Sequence, residues 1–341
     1  MWVPLSTTTT MSVELHDISF KYQKGPSIFD GFNLKFDTGG FFFILGSNGS
    51  GKSTLLNLIL GWLNPSSGTI SYQGKEINSK KQLASLIGYV PQDPSVDPEM
   101  SVSDILDFIG SCHHLSTDQL VQNKKQITEA LDIQDLLDKR IKFLSGGQRQ
   151  KVNIAVGLIH LPEIILLDEP FTGLDYYTSV KVLTALVNMK KTVLCVTHDI
   201  DIAEQYATEV LVLKNGQLIE KDRPSELIKN HSFFLQEIDF NIDISSQLPN
   251  LDESVRYMIQ QNRLILSYPN KNASVESVEN FKEAHKSYII KESSASDTLK
   301  STIVGLHDIS FSAAPKKKAK KGGGGGDGSG GGGGQGKRKN K

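Results

Sequence analysis

Cysteine is scarce in this chain, with two residues, Cys112 and Cys195, among 341. Two thiols cannot build a disulfide framework, which points to a reducing compartment rather than a small secreted scaffold. No apolar run approaches the roughly 18 residues that a membrane-spanning helix needs. Residues 1–10 offer neither the charged nor the apolar region of a secretion signal. We read them as an unstructured N-terminus, with Met11 a candidate start. A large excess of one charge is also missing, since the formal net charge is -1. With 38% hydrophobic and 22% charged residues, collagen-like and wholly disordered classes are excluded for the bulk of the chain.

The small net charge hides an asymmetry. Residues 315–341 carry nine Lys or Arg against the single acid Asp327, so the tail is +8 and residues 1–314 are left with -9. Twelve of the 30 glycines also lie in that tail, within 322–336. Glycine between lysine clusters cannot bury apolar surface, so 304–341 is expected to be disordered. Such a tail is either a tether for anionic lipid or nucleic acid, or plain solvated chain. One internal echo stands out: Val13-Glu-Leu-His-Asp-Ile-Ser-Phe20 recurs as Val304-Gly-Leu-His-Asp-Ile-Ser-Phe311. We have no physical account of it.

From Val13 to about Asn230, short apolar runs alternate with amphipathic segments. Strands are expected at Ile18–Tyr22, Phe41–Leu45, Gly88–Pro91, Ile164–Asp168, Val193–Thr197 and Val210–Leu213. Helices are expected at Lys52–Trp62, Val102–Ile109, Gln148–His160, Tyr176–Val187 and Ile200–Ala207. Interleaved strands and helices argue for an α/β fold on a largely parallel sheet, and uniformly apolar runs such as Ile164–Leu167 suit its central strands. Beyond Asn230 a strand at Asn262–Tyr268 and a helix at Ala273–His285 suggest a small α+β appendage over 232–303.

The chemistry begins at Gly46-Ser-Asn-Gly-Ser-Gly-Lys-Ser-Thr54. It follows an apolar strand and opens a helix, which is the context a phosphate loop requires. Gly46, Gly49 and Gly51 let the backbone curl, so that N–H groups from Ser47, Asn48 and Ser50 onward face phosphate oxygens. Lys52 would reach the outer phosphates, Ser53 would offer a hydroxyl to Mg2+, and Thr54 completes the turn. Leu166-Leu167-Asp168-Glu169-Pro170 ends a buried strand with two acids. Asp168 suits the Mg2+ shell, and Glu169 suits a base that polarises the attacking water. A plain solvated acidic turn is the alternative, weakened by the neighbouring phosphate loop.

Leu144-Ser-Gly-Gly-Gln148 supplies a second anion-ready helix terminus through Ser145, Gly146, Gly147 and Gln148. One γ-phosphate cannot rest on two such termini of one compact fold, so the second is expected to act on ATP held by another copy. Together these residues resemble the motif set of the ATP-binding cassette (ABC) family, over roughly residues 13–225. Tyr22, 24 residues before Gly46, resembles the aromatic that stacks on adenine. Gln92 resembles the Q-loop glutamine, which senses Mg2+ and the membrane partner. Asp175 in Gly173-Leu-Asp175 resembles the D-loop, and His198 in Thr197-His-Asp199 the histidine that contacts the γ-phosphate.

The resemblance implies an ATPase unit over 11–231, with a mainly parallel core sheet, an antiparallel β subdomain and a helical subdomain at about 93–145. It implies Mg2+ and ATP as ligands, catalysis by Glu169, His198 and Gln92, and metal contacts from Ser53, Gln92 and Asp168. Two cassettes would close head to tail over two ATPs and move a separate transmembrane permease. The chain, paired with a second copy of itself or with a paralogue, would then sit peripherally on the cytoplasmic face of the membrane. The segment from Leu248 to Lys300 is similar to the appendage of drug- and sodium-type (ABC-2) exporter ATPases, although Ala295, Thr298 and Leu299 only approximate that pattern. An importer cassette for metals or small solutes is the alternative, since Gln148 keeps the common signature residue. A soluble cassette acting on ribosomes or DNA is a third reading, but there is no heptad run between Gln92 and Leu144 and no specific nucleic acid is expected. Cys112, His113 and His114 lack ligand spacing and are read as a solvated turn. Cys195 is read as a buried strand residue.

Overall fold

The computed structural model describes residues 12–23, 25–77, 79–93, 96–231 and 234–241, three later strands, and a few residues beside them up to Ile303. Three sheets organise the described residues. The first is antiparallel and combines β1 (Val13–Lys21), β2 (Ser27–Phe36), β4 (Ser67–Tyr72) and β5 (Lys75–Glu76) in the order β2-β1-β4-β5. The second contains β3 (Phe41–Gly46), β6 (Ile87–Val90), β7 (Ile164–Asp168), β8 (Thr192–Val196), β9 (Glu209–Lys214) and β10 (Gln217–Asp222). Its order is β10-β9-β3-β8-β7-β6, parallel except for the antiparallel edge strand β10.

The six residues of β3 are all buried, because both faces of this sheet are covered. Alternation along the strand then feeds two cores. Phe41, Phe43 and Leu45 join the core shared with the helices of the lower half. Phe42 and Ile44 join the core under the antiparallel sheet, with Phe36 and Tyr72. Each such side chain contributes about 2 kcal/mol through burial, so the sheet is held rigidly from both sides.

Among the described residues eight α-helices flank these sheets: α1 (Lys52–Ile59), α2 (Lys80–Leu86), α3 (Val102–Cys112), α4 (Thr117–Leu131), α5 (Gly146–Leu158), α6 (Tyr176–Asn188), α7 (Ile200–Tyr206) and α8 (Pro224–Asn230). Their starts follow the capping rules. Ser101 accepts from the Asp104 N–H at 3.1 Å to open α3, and Ser116 with Gln119 forms a capping box at α4. The third sheet is antiparallel, built from β11 (Phe234–Phe240), β12 (Arg256–Gln260), β13 (Arg263–Tyr268) and β14 (Ile289–Ser296) in the order β12-β13-β11-β14. Asp239 and Arg263 pair across β11 and β13.

Several boundaries differ from those expected. α1 ends at Ile59 rather than Trp62, because Gly61 turns left-handed at φ +69° and stops it. α5 begins at Gly146 rather than Gln148 and ends at Leu158 rather than His160. Of the solvated turn expected at Cys112, His113 and His114, the first and last are exposed, whereas His113 is half-buried with its ring stacked on His160 at 3.8 Å between centroids. Among the described residues no cluster of three or more His, Cys, Asp or Glu is arranged to hold a metal ion. Cys195 is fully buried in β8, as expected. The expected helix Ala273–His285 lies largely outside the described residues, as do the N-terminal ten residues and the Gly/Lys-rich tail.

Candidate active site

Parallel pairing brings the carboxyl ends of β3, β8, β7 and β6 to one edge of the sheet. Ile44 lies beside Val196, Val196 beside Asp168, and Leu167 beside Val90. The loops that leave these strands begin at Ser47, Thr197, Glu169 and Pro91, so sequence motifs that are far apart converge at one edge.

Gly46 closes β3 where a Cβ would collide with the Leu213 carbonyl and the Ser50 hydroxyl. Gly51 precedes α1 at φ +105°, a conformation reserved for glycine. Between them the Ser50 N–H donates to the Ser47 carbonyl at 3.1 Å, which closes the loop. The Ser50 hydroxyl is buried and without a hydrogen-bond partner inside this curl. Lys52 is buried, and its Nζ donates to the Gly46 and Ser47 carbonyls at 2.8 and 3.0 Å. Burial pushes its pKa down, while Glu169 and Asp168 push it back up. The result is an ammonium held inside a loop whose N–H groups and helix terminus both attract anions.

Asp168 and Ser53 interact across the base of this loop. Burial raises the Asp168 carboxyl, and Lys52 with the Ser53 hydroxyl draws it back. A hydroxyl and a single carboxylate form an all-oxygen donor set. This fits Mg2+, which keeps most of its shell for phosphate and water.

Glu169 is the next residue and adopts φ +51°, a left-handed conformation that is strained for a non-glycine residue. Its N–H donates to the Val196 carbonyl at 2.9 Å, which fixes the turn. Its Oε1 lies 3.2 Å from His198 Nε2. Burial pushes the Glu169 carboxyl up to about 7; the His198 backbone N–H and Lys52 oppose the rise, and Asp168 and Asp199 add to it. Burial and the charge of Lys52 lower the His198 pKa, so the imidazole is neutral at pH 7. A cleft of about 490 Å³ opens over this pair, lined by Glu169, Thr172, Thr197, His198 and Asp199. A carboxyl that titrates near neutrality beside a neutral imidazole is suited to proton transfer from water.

The second anion-ready terminus belongs to another part of the fold. The Ser145 Oγ accepts from the Gln148 N–H at 3.2 Å, and Gln148 Oε1 accepts from the Ser145 N–H at 3.1 Å. This capping box lets Gly146 and Gly147 start the helix in spite of their poor propensity. Ser145 and Gly146 are exposed. α5 packs against β6, α3 and α4, whereas α1 packs against β3.

The remaining predicted residues fall as follows. Tyr22, just past β1, is 44% exposed, and its Oη lies 3.2 Å from Thr54 Oγ1. Gln92 is exposed beyond the end of β6. Asp175 caps α6, accepting from the Thr178 N–H at 2.9 Å and the Thr178 hydroxyl at 2.8 Å; these bonds lower its pKa. Two residues missed in the sequence reading are structural ties. Buried Gln150 donates to the Pro170 carbonyl at 2.9 Å, and buried Asn153 donates to the Pro91 carbonyl at 3.0 Å. They join the signature helix to the loops that carry Glu169 and Gln92. Amides spaced three apart on the inward face of a helix were the available signal.

The ABC transporter family profile matches residues 29–172. The ergothioneine transport ATP-binding protein EgtV of Helicobacter pylori is 36% identical over 208 residues, 59% of this chain and 97% of that protein. The Nod factor export ATP-binding protein I of Cupriavidus metallidurans is 33% identical, over 59% of this chain and 68% of that protein. Among solved structures, cbiO1 of Clostridium perfringens, part of the cbiONQ transporter complex, is 33% identical with a TM-score of 0.59, covering 64% of this chain and 90% of that one. A dimeric ATP-binding cassette with ADP and Pi bound is 27% identical with a TM-score of 0.56, covering 62% of this chain and 98% of that one. Phosphate loop, paired acids, histidine and signature helix thus sit on the fold of these proteins, and the chain belongs to the ABC family as the ATP-binding, ATP-hydrolysing subunit of a transporter.

Proposed function

We propose that the chain energises export through a separate transmembrane permease and works as a head-to-tail pair with a second copy of itself. The observation that carries this reading is the split between a buried, internally bonded Lys52 and a second helix terminus whose Ser145 and Gly146 are exposed. One chain supplies both halves that a symmetric pair needs. In each composite pocket, Gly46–Thr54 of one copy would cradle the phosphates and Tyr22 would face the adenine. Ser145, Gly146, Gly147 and Gln148 of the other copy would close on the γ-phosphate, with Asp175 beside the seam. Ser53, Asp168 and Gln92 would hold Mg2+, which offsets phosphate charge when bound. Glu169 would take the proton of the attacking water, and His198 would hold the γ-phosphate end of the cleft. We take 11–231 as the ATPase unit, about 93–145 as its helical subdomain and 232–303 as a separate appendage.

The export direction draws on the Nod factor export relative and on the appendage pattern; an import cassette for a small solute is the second reading, drawn from the ergothioneine transport relative. Among the described residues no helix is long and apolar enough to cross a membrane, so the permease would anchor the chain peripherally. Glu169→Gln should lower ATP turnover at least about 100-fold and accumulate an ATP-dependent dimer visible by light scattering. Wild-type turnover by a monomeric variant would overturn the reading. The chain should stay with membranes after salt washing, whereas release together with RNA would support a ribosomal or nucleic-acid role.

A further inference from the structure

α7 begins immediately after His198 and Asp199. Its first turn is capped by Asp199, whose Oδ1 accepts from the Ile202 N–H at 3.0 Å. Ile202 and Ala203 anchor the helix in the main core. Two further contacts hold its outer half. The Tyr176 hydroxyl, from the residue that follows Asp175, donates to Gln205 Oε1 at 3.2 Å. The Leu299 N–H donates to Glu204 Oε2 at 2.9 Å, across 95 residues of chain.

That second contact ends a short turn that returns to the cassette after β14. The Thr302 N–H donates to the Thr298 carbonyl at 3.2 Å. The Thr302 hydroxyl lies 3.1 Å from the Thr298 carbonyl and 3.2 Å from the His231 carbonyl at the end of α8. Leu299 and Ile303 are fully buried and belong to the same core cluster as Ile202 and Ala203. Burial of two aliphatic side chains makes the turn part of the cassette interior rather than a loose end. Glu204 caps its first free N–H.

We propose that Glu204 is a positioning residue, which fastens the turn holding Thr298, Leu299, Thr302 and Ile303 to the helix that follows His198 and so lets the appendage set the geometry of the hydrolysis site. The inference rests on the role given to His198 above. A displacement of about 1 Å at a reacting group costs up to about 100-fold in rate, so a latch two turns from His198 has leverage on turnover without touching nucleotide.

The test uses the full chain and reads kcat and KM for ATP together with the thermal midpoint. Glu204→Ala should lower kcat about five- to tenfold with KM within about twofold, whereas Glu204→Gln, which keeps an acceptor oxygen, should retain at least half of wild-type kcat. In a His198→Ala background, Glu204→Ala should cause no further loss, because both changes act through one group. An equal loss in both backgrounds, or a Glu204→Gln variant as slow as Glu204→Ala, would overturn the proposal. Unchanged kcat in Glu204→Ala beside a slow His198→Ala would overturn the latch alone. Unchanged kcat in His198→Ala would overturn the assigned role of His198 itself. If Glu204→Ala lowers the thermal midpoint, Leu299→Val, which keeps the N–H and most of the buried volume, should retain wild-type kcat; a Leu299→Val variant as slow as Glu204→Ala would also overturn the latch.

Discussion

The two anion-ready helix starts of this chain differ in how they are finished. At α1 the lysine is buried, bonded to its own loop at 2.8 and 3.0 Å, and flanked by Asp168 and Glu169. At α5 the serine and first glycine are exposed, and the Ser145 hydroxyl and the Gln148 side chain bond back to the start of their own helix. The first is a socket that is complete within the chain. The second is a surface finished in hydrogen-bonding terms but with no acid beside it in sequence; Gln148 is followed by Arg149. The difference teaches that binding and turnover are separable here: one terminus should decide whether ATP is held, the other whether it is cut.

Substitution at the two termini breaks that comparison most strongly. Lys52→Ala removes the buried charge, so ATP affinity measured by equilibrium dialysis should fall at least about 100-fold, as for other buried charge contacts. Ser145→Arg leaves the socket untouched. Affinity should stay within about twofold, while turnover falls about 100-fold, the scale expected for donors aimed at transition-state charge. Equal losses of affinity in both variants would erase the distinction. Tyr22→Ala should cost less, about tenfold in affinity, the scale of one base stacked on an aromatic ring, with kcat at saturation unchanged.

Acidity sharpens the comparison by a smaller amount. The Glu169 carboxyl is raised from 4.5 to about 7 by burial. As a base it must be ionised, so turnover should rise between about pH 6 and pH 8 with a midpoint near 7. Stability moves the other way. Between the unfolded and folded values the native chain holds a proton that the unfolded chain has lost. The stabilisation is therefore full below pH 4.5 and is lost as pH rises through about 7, a change of about 3 kcal/mol. Glu169→Gln removes that loss, so its thermal midpoint should exceed the wild-type value at pH 8 and approach it at pH 5. A variant less stable at pH 8 would contradict the buried charge.

Much of the site was legible because its signals are local. Phe41–Leu45 followed by Gly46–Thr54 needs only neighbouring residues to become strand, loop and helix, and Ile164–Asp168 is uniformly apolar up to its acid. The strands β2, β4 and β5 went unread because their identity is borrowed from pairing. β4 exposes Ser67, Gly68 and Thr69, and becomes a strand through its register with β1, where Leu15 meets Ile70. α4 presents mostly polar residues and is fixed by its capping box and the few buried positions Ile127, Thr128 and Leu131. The start of α5 at Gly146 depends on side-chain bonds that outweigh glycine's reluctance. The stacking of His113 on His160, and the return of Leu299 to Glu204, join residues far apart in sequence.

The account depends above all on each nucleotide being shared between two copies. Mixing Lys52→Ala chains with Ser145→Arg chains tests this directly, because neither is active alone. In a mixed pair one pocket collects both lesions and the other has neither. Random pairing should therefore restore turnover toward about a quarter of the wild-type rate, as expected for symmetric dimers with two equivalent pockets. A mixture no faster than its two parents, at concentrations where wild type dimerises, would contradict it.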